Sequence, residues 1–234
     1  MILNETPFIF CSNIKDGNMS GRFGDEAIVK QNIDSFFGKL NVRKQDTLRL
    51  HLTNNNDLTD VEEKLKSDSI KTDAIVTKLT NYYFYLGFAD CIPMVAYDDK
   101  NNVLGFAHLG WKNICGRLQK KVLDLMVSKY NSNIDNIKVF FGPSILKESY
   151  AFPQPAQLKM PEWEKYIFKK DDLYHIDLQK YIIDDLISLG VKESNICENT
   201  INTASDKRFY SHFRSQHNME EIEGRFIFGT SISL

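Results

Sequence analysis

Cys91 and His108 are the residues best able to do chemistry in this 234-residue chain. They stand at the outer ends of two apolar runs, Ile92 to Tyr97 and Val103 to Leu109, separated by Asp98-Asp99-Lys100-Asn101-Asn102. Asp and Asn accept turn geometry, so the two runs read as a β-hairpin. A turn centred between Asp99 and Lys100 sets Cys91 opposite His108, with Cβ atoms ~5 Å apart on one face. A one-residue change of register would part them. A thiol and an imidazole converging at the open end of a hairpin suit two chemistries. One is a Cys–His nucleophile and base. The other is a pair of ligands for a borderline metal such as zinc.

The other candidates speak less clearly on their own. His51 lies in the short apolar strand RLHLT, where a histidine usually belongs to the core or its rim. His175, His212 and His217 sit in polar surroundings and read as surface residues. Arg208, Arg214 and Arg225 bracket the aromatic cluster Phe209-Tyr210 and Phe213, and arginines there could grip a phosphate or carboxylate bidentately. No P-loop, GxGxxG, GxSxG or HExxH pattern occurs. Cys11, Cys91, Cys115 and Cys197 are scattered, form no CxxC pair and read as reduced thiols.

The elements that must position these groups alternate between strand and helix. Phe8 to Ser12, Leu48 to Leu52, Ala74 to Thr77, Tyr82 to Phe88, Lys138 to Phe141 and Arg225 to Ile232 read as strands beside the hairpin. Val29, Ile33, Phe36, Phe37 and Leu40 recur at helical spacing over residues 26–40. A helix near 112–129 carries Ile114, Leu118, Val122, Leu125 and Met126 on one face. Another begins at an Asp177 cap and stops at Gly190. The polar stretch Thr53 to Thr72 reads as a solvated loop or surface helix. With no repeat, low-complexity tract or linker, residues 1–234 read as a single α+β domain of mixed β-sheets layered against helices.

Composition narrows the function. A hydrophobic share of 42% with 26% charged residues is ordinary for a globular chain and excludes a disordered one. Lys plus Arg number 29 against 31 Asp plus Glu, so no basic excess points to nucleic acid. No apolar run is long enough to span a bilayer, and MILNETPFIFCSN does not resemble a signal peptide, so a cytoplasmic protein without a membrane partner is expected.

Ala89-Asp90-Cys91-Ile92-Pro93 and Ala107-His108-Leu109-Gly110-Trp111-Lys112 resemble the ADC-[LI]-P and HAGWRG elements of the laccase-domain proteins, the multicopper polyphenol oxidase-like family. The resemblance covers most of the chain. Gly17 to Asp25 is similar to the family's SLNLGLHVGD-like stretch and Arg49-Leu50-His51 falls at its Gln-Val-His. Thr72 to Thr77 resembles ADALVT, Gly142 to Ile145 the GPxI turn, Phe209 to Arg214 the FFSYRR element and Gly224-Arg225 the late GR. Members are regarded as purine nucleoside phosphorylases with adenosine deaminase activity. The family's His, Cys, His trio falls on His51, Cys91 and His108, which the resemblance thus implies as catalytic and metal-binding residues. Departures surround it: Arg22 replaces a histidine, Arg49 a glutamine, Lys112-Asn113 the Arg-Gly pair, Asn32-Ile33 an Asn-Arg pair and Asn199-Thr200 a Cys-Thr pair.

Counting tests the family name. A type-1 copper site and a trinuclear cluster need more imidazoles than five histidines supply, so four-copper oxidation is excluded for a lone chain. A single zinc on His51, Cys91 and His108 would keep one open position and lower the pKa of its water toward ~7, as adenosine deamination requires. Asp73 and Asp90 are candidates for the acid that protonates the leaving amine. Phosphorolysis instead needs an anion held beside the ribose anomeric carbon, for which Arg22, Lys112 and Arg214 are the candidate substrate-binding cations, with Asn18 as a neutral hydrogen-bonder. The expected partners are a purine nucleoside and phosphate. Two further readings stay open: a Cys–His hydrolase of an amide or ester, such as one that edits peptidoglycan precursors, and a non-catalytic zinc-stabilised interaction domain.

Overall fold

The computed structural model describes residues 1–218 and 221–232. The chain opens with β1 (Ile2–Asn4), β2 (Phe8–Cys11), α1 (Glu26–Lys39), β3 (Thr47–His51), β4 (Leu58–Val61), β5 (Ser69–Lys71), β6 (Ala74–Thr77) and β7 (Tyr83–Phe88). The hairpin β8 (Ile92–Asp98) and β9 (Val103–Leu109) follows, then α2 (Trp111–Cys115), α3 (Leu118–Tyr130) and β10 (Lys138–Phe141). The remainder holds β11 (Ala151–Phe152), β12 (Ile167–Lys170), β13 (Leu173–Ile176), α4 (Leu178–Ser188), β14 (Ile196–Cys197), α5 (His212–His217) and β15 (Phe226–Ser231).

Two six-stranded mixed sheets form, in the orders β1-β2-β15-β7-β3-β5 and β14-β10-β8-β9-β6-β4. A small three-stranded sheet, β11-β13-β12, stands apart. Strand β7 shows why its sequence is apolar throughout. Phe84, Leu86 and Phe88 face inward, while Tyr83 and Tyr85 face α1, so both faces are covered. Between the sheets, Leu48, Phe84, Phe88, Phe226 and Phe228 meet Ile75, Val95, Leu104 and Phe106. Phe36 and Phe37 of α1 pack on Phe10, Tyr85 and Ile227 outside the first sheet. Val122 and Met126 of α3 and Ile182 and Leu186 of α4 cover Met94, Ala96 and Ala107 of the second. Each buried Val, Leu, Ile, Phe or Met side chain among these contributes about 1.5–3 kcal/mol on leaving water. The result is a helix–sheet–sheet–helix stack, the α+β arrangement of mixed sheets on helices that the sequence predicts.

Three expectations change. First, the hairpin turn is a four-residue loop in which Asp98 pairs with Val103 and His108 pairs with Pro93, not Cys91. The Asp98 carboxylate accepts from Lys100 N, Asn101 N and Asn101 Nδ2, closing this longer loop. A two-residue offset preserves the face. Second, the helix near 112–129 divides into α2 and α3 at Gly116-Arg117, where Arg117 takes a left-handed φ of 52°. Asn56 packs on Gly116 so closely that a Cβ there would lie 2.1 Å from its amide nitrogen. Third, the stretch 53–72 is not all loop or surface helix. It contains β4 and β5, each parallel to its neighbour at a sheet edge. Edge strands bury one flank only, so their polar composition conceals them.

Candidate active site

Cys91 directly precedes β8, and Asp90 before it adopts φ 81°. That left-handed turn delivers the thiol toward the end of β9. A Cβ placed on Gly110 would lie 3.3 Å from His108 Cε1, 3.4 Å from Cys91 Sγ and 3.3 Å from Asn113 Oδ1. The predicted convergence of Cys91 and His108 therefore stands, although they are not paired across the strands.

The two groups are electrostatically quiet. Burial, with Asp90 nearby, pushes the Cys91 thiol up to about 12, while Arg225 pulls the other way. Burial lowers the His108 imidazole to about 4, against the opposing pull of Asp73 and Asn113. A thiolate–imidazolium nucleophile needs both shifts reversed. The His108 ring packs tilted against Phe88, with centroids 5.5 Å apart, and its buried Nδ1 has no hydrogen-bond partner among the described residues.

Asp73 and Asp90 hold the surrounding loops and are not free acids. Asp73 accepts from the backbone N–H of Thr53, Asn54, Asn55 and Asp57 and from the Thr53 hydroxyl. Although burial raises its pKa, these bonds hold it below the usual carboxylate range. The loop so fixed carries Asn54 into the site, while Asn56 accepts from Asn113 Nδ2 at 3.3 Å. Asp90 accepts from Thr203 Oγ1 at 2.6 Å, Ser211 Oγ at 3.0 Å and Phe213 N at 2.6 Å.

Two cavities meet at this point. One, of about 550 Å³, is walled by Trp111, Tyr150, Phe152, Phe213, Ile145 and Leu178, with Lys112 and Asn113 at its edge. The other, of about 400 Å³, is lined by Arg22, Arg49 and Arg225 with His51, and among its described lining residues there is no Asp or Glu. Asn54, Ala89, Cys91, His108 and His212 line both. His51, at the exposed end of β3, has its ring pKa lowered by burial and by Arg49.

The structure thus brings His51, Cys91, His108 and Arg22 to one cavity and Lys112 to its neighbour. Asn18 and Arg214 do not line either. Asn18 fixes its own loop: Oδ1 accepts from Ser20 N and Arg225 N, and Nδ2 donates to Ser20 O. Arg214 donates to the carbonyls of Thr203 at 2.6 Å and Phe209 at 2.8 Å, and Nε lies 3.1 Å from Glu221. Its guanidinium fastens the backbone of this segment. Sequence reading passed over His212, set aside as a surface histidine, and Tyr150 and Phe152, which lie in a stretch with no clear periodicity. Arg225 was noted as one of three clustered arginines and in the late Gly224-Arg225 element, but not as a site residue. His51, Cys91 and His108, the expected zinc ligands, do not form a donor set: among the described residues no three His, Cys, Asp or Glu side chains are arranged to hold a metal ion.

Residues 10–232 match the model of the multi-copper polyphenol oxidoreductase laccase family, and the chain belongs to that family. It is 30% identical over 157 residues to the purine nucleoside phosphorylase YlmD of Bacillus subtilis (strain 168), covering 62% of this chain and 54% of that protein. It is 28% identical over 135 residues to adenosine deaminase RL5 of an unknown prokaryotic organism, covering 54% and 50%. With the purine nucleoside phosphorylase RP494 of Rickettsia prowazekii (strain Madrid E) it shares 25% identity over 200 residues, covering 82% and 80%. The chain spans about half the length of the first two of these relatives. The crystal structure of YlmD from Geobacillus stearothermophilus has the same fold, with a TM-score of 0.80 at 19% identity over 97% of this chain and 91% of that one. Neisseria meningitidis protein NMB0706 also scores 0.80, at 16% identity over 100% and 98%. No helix among the described residues is long and apolar enough to cross a membrane.

Proposed function

We propose that this chain catalyses phosphorolysis of purine nucleosides, adenosine or inosine, to free base and ribose 1-phosphate. The observation that carries the reading is the junction of an aromatic cavity with a cavity lined by Arg22, Arg49 and Arg225, among whose described lining residues there is no Asp or Glu. The two reactants differ in the same way. A purine offers a flat apolar face, which Trp111, Tyr150, Phe152 and Phe213 suit. Phosphate offers several acceptor oxygens, which Arg22, Arg49 and Arg225 suit. Their reacting atoms then meet where Cys91, His108, His212 and Asn54 line both spaces. As carbon–nitrogen cleavage places positive charge on the sugar, the bound phosphate supplies the compensating negative charge. The relatives named as purine nucleoside phosphorylases support the same substrates.

Adenosine deamination is the second part of the proposal, supported by the relative named for that activity. That activity would need a zinc to activate water, the role expected of His51, Cys91 and His108, and in this structure those side chains are not arranged as a ligand set. The neutral thiol and imidazole weigh against the Cys–His hydrolase. The test is incubation of adenosine and inosine, each with and without phosphate, followed by chromatography. Base released only with phosphate is the expected result; release without phosphate, or none, would overturn phosphorolysis. Inosine formed from adenosine tests the deaminase separately.

A further inference from the structure

We propose that His212, oriented by Glu223, is the acid that protonates the departing purine. The inference rests on the phosphorolysis reading and adds the proton donor that reading lacks. A purine leaves poorly as an anion, so a proton must reach its ring nitrogen N7 as the glycosidic bond breaks. The only carboxyl group among the described lining residues of the two cavities is Asp90, and three donors occupy its oxygens.

His212 lines both cavities. Its Nδ1 stands 2.8 Å from Glu223 Oε1. That oxygen also accepts from Nη1 and Nη2 of Arg225, each at 3.2 Å, and Oε2 accepts from Gln216 Nε2 at 3.2 Å. Glu223 is thereby fixed, and it fixes the imidazole with Nδ1 as its donor. The second ring nitrogen, Nε2, has no hydrogen-bond partner among the described residues. The backbone is equally constrained: Ser211 and Phe213, on either side of His212, both donate to Asp90, the neighbour of Cys91. The ring is therefore held at the place where base and phosphate meet, on a scaffold anchored to the hairpin.

The step balances as follows. An oxygen of hydrogen phosphate forms its bond to the anomeric carbon while the carbon–N9 bond breaks and its electron pair passes to the purine. The imidazolium of His212 gives its Nε2 proton to N7 and keeps the Nδ1 proton on Glu223. Phosphate loses its own proton on becoming the monoester, and that proton restores the imidazolium. The net products are neutral base and ribose 1-phosphate.

The test uses a nucleoside whose base needs no proton. In 7-methylinosine N7 already carries a methyl group and a positive charge, so the base departs neutral. Phosphorolysis of inosine and of 7-methylinosine is compared in the wild type, His212→Gln and Glu223→Gln. His212→Gln should lower kcat/KM for inosine by about 100-fold or more, and for 7-methylinosine by less than about tenfold. Glu223→Gln should show a smaller loss with the same selectivity. Equal losses on both nucleosides would mean a structural role and overturn the proposal, as would full activity of His212→Gln on inosine. A wild type that releases no ribose 1-phosphate would instead overturn the phosphorolysis reading beneath it.

Discussion

Replacing Asp73 with asparagine should cost about 3 kcal/mol of stability at neutral pH, and the figure can be built from the hydrogen bonds it breaks. Oδ1 accepts from Thr53 N at 3.0 Å and Asn54 N at 2.8 Å. Oδ2 accepts from Asn55 N at 2.9 Å, Asp57 N at 3.2 Å and the Thr53 hydroxyl at 3.0 Å. Asparagine keeps one oxygen. Whichever way its amide turns, an NH₂ faces at least two backbone N–H donors. Two charge-assisted bonds at the lower figure of about 1.5 kcal/mol each give the estimate. For a chain of this size it lowers Tm by roughly 6–12 °C.

The pH dependence supplies a second signature. Asp73 is held below the usual carboxylate range, so the folded state binds its proton less readily than the unfolded one. Its stabilisation is complete above the unfolded value of about 4 and fades as pH falls through the folded value. The gap between wild type and variant should narrow on acidification. Urea unfolding followed by fluorescence reads both, because the chain has two tryptophans. Trp111 borders the site, and Trp163 is buried in the core. A neutral-pH loss below about 1 kcal/mol, or a gap that widens in acid, would refute the reasoning.

Other outcomes follow from the same contacts. Arg22→Ala and Arg49→Ala should each raise KM for phosphate by about tenfold, the equivalent of one charge-assisted bond, with a smaller change for nucleoside. Arg214→Lys should instead leave the carbonyls of Thr203 and Phe209 unpaired and lower stability by about 2 kcal/mol, seen in thermal melts, with phosphate KM within about twofold of wild type. Iodoacetamide at neutral pH should label exposed Cys197 well before Cys91, read by peptide mass spectrometry; faster labelling of Cys91 would revive the hydrolase. Exhaustive chelation should leave phosphorolysis unchanged, measured as phosphate-dependent base release, because no three His, Cys, Asp or Glu side chains among the described residues are arranged to hold a metal ion.

The strands around the site were legible because both faces are covered or alternate cleanly, as in β7 and the hairpin. The convergence of Cys91 and His108 survived an incorrect register because the error was an even number of residues. Elements held by polar contacts left no periodic trace. The break between α2 and α3 depends on Asn56, some 60 residues away in sequence, and β4 and β5 are polar edge strands. His212 was read as a surface residue and is exposed, yet it also lines both cavities, and its partner Glu223 lies beyond α5. Arg214, conspicuous among aromatics, was read as a candidate ligand for an anion; the two carbonyls it serves, of Thr203 and Phe209, leave no mark in the sequence pattern.

The placement of β15 has a consequence for how the protein is made. This late strand is interior to its sheet, bonded to β2 on one side and β7 on the other. Until it has left the ribosome, β2 has no partner toward β7, and the inward faces of Phe84 and Phe88 lack Phe226 and Phe228. The second sheet and its helices, drawn mostly from the middle of the chain, can assemble earlier. Synthesis should therefore pass through a stage with the Cys91–His108 hairpin formed and one apolar layer uncovered, the stage most open to chaperone capture and aggregation. Arg225 and Glu223 arrive immediately before β15, so the anion cavity is completed almost simultaneously with closure of the core.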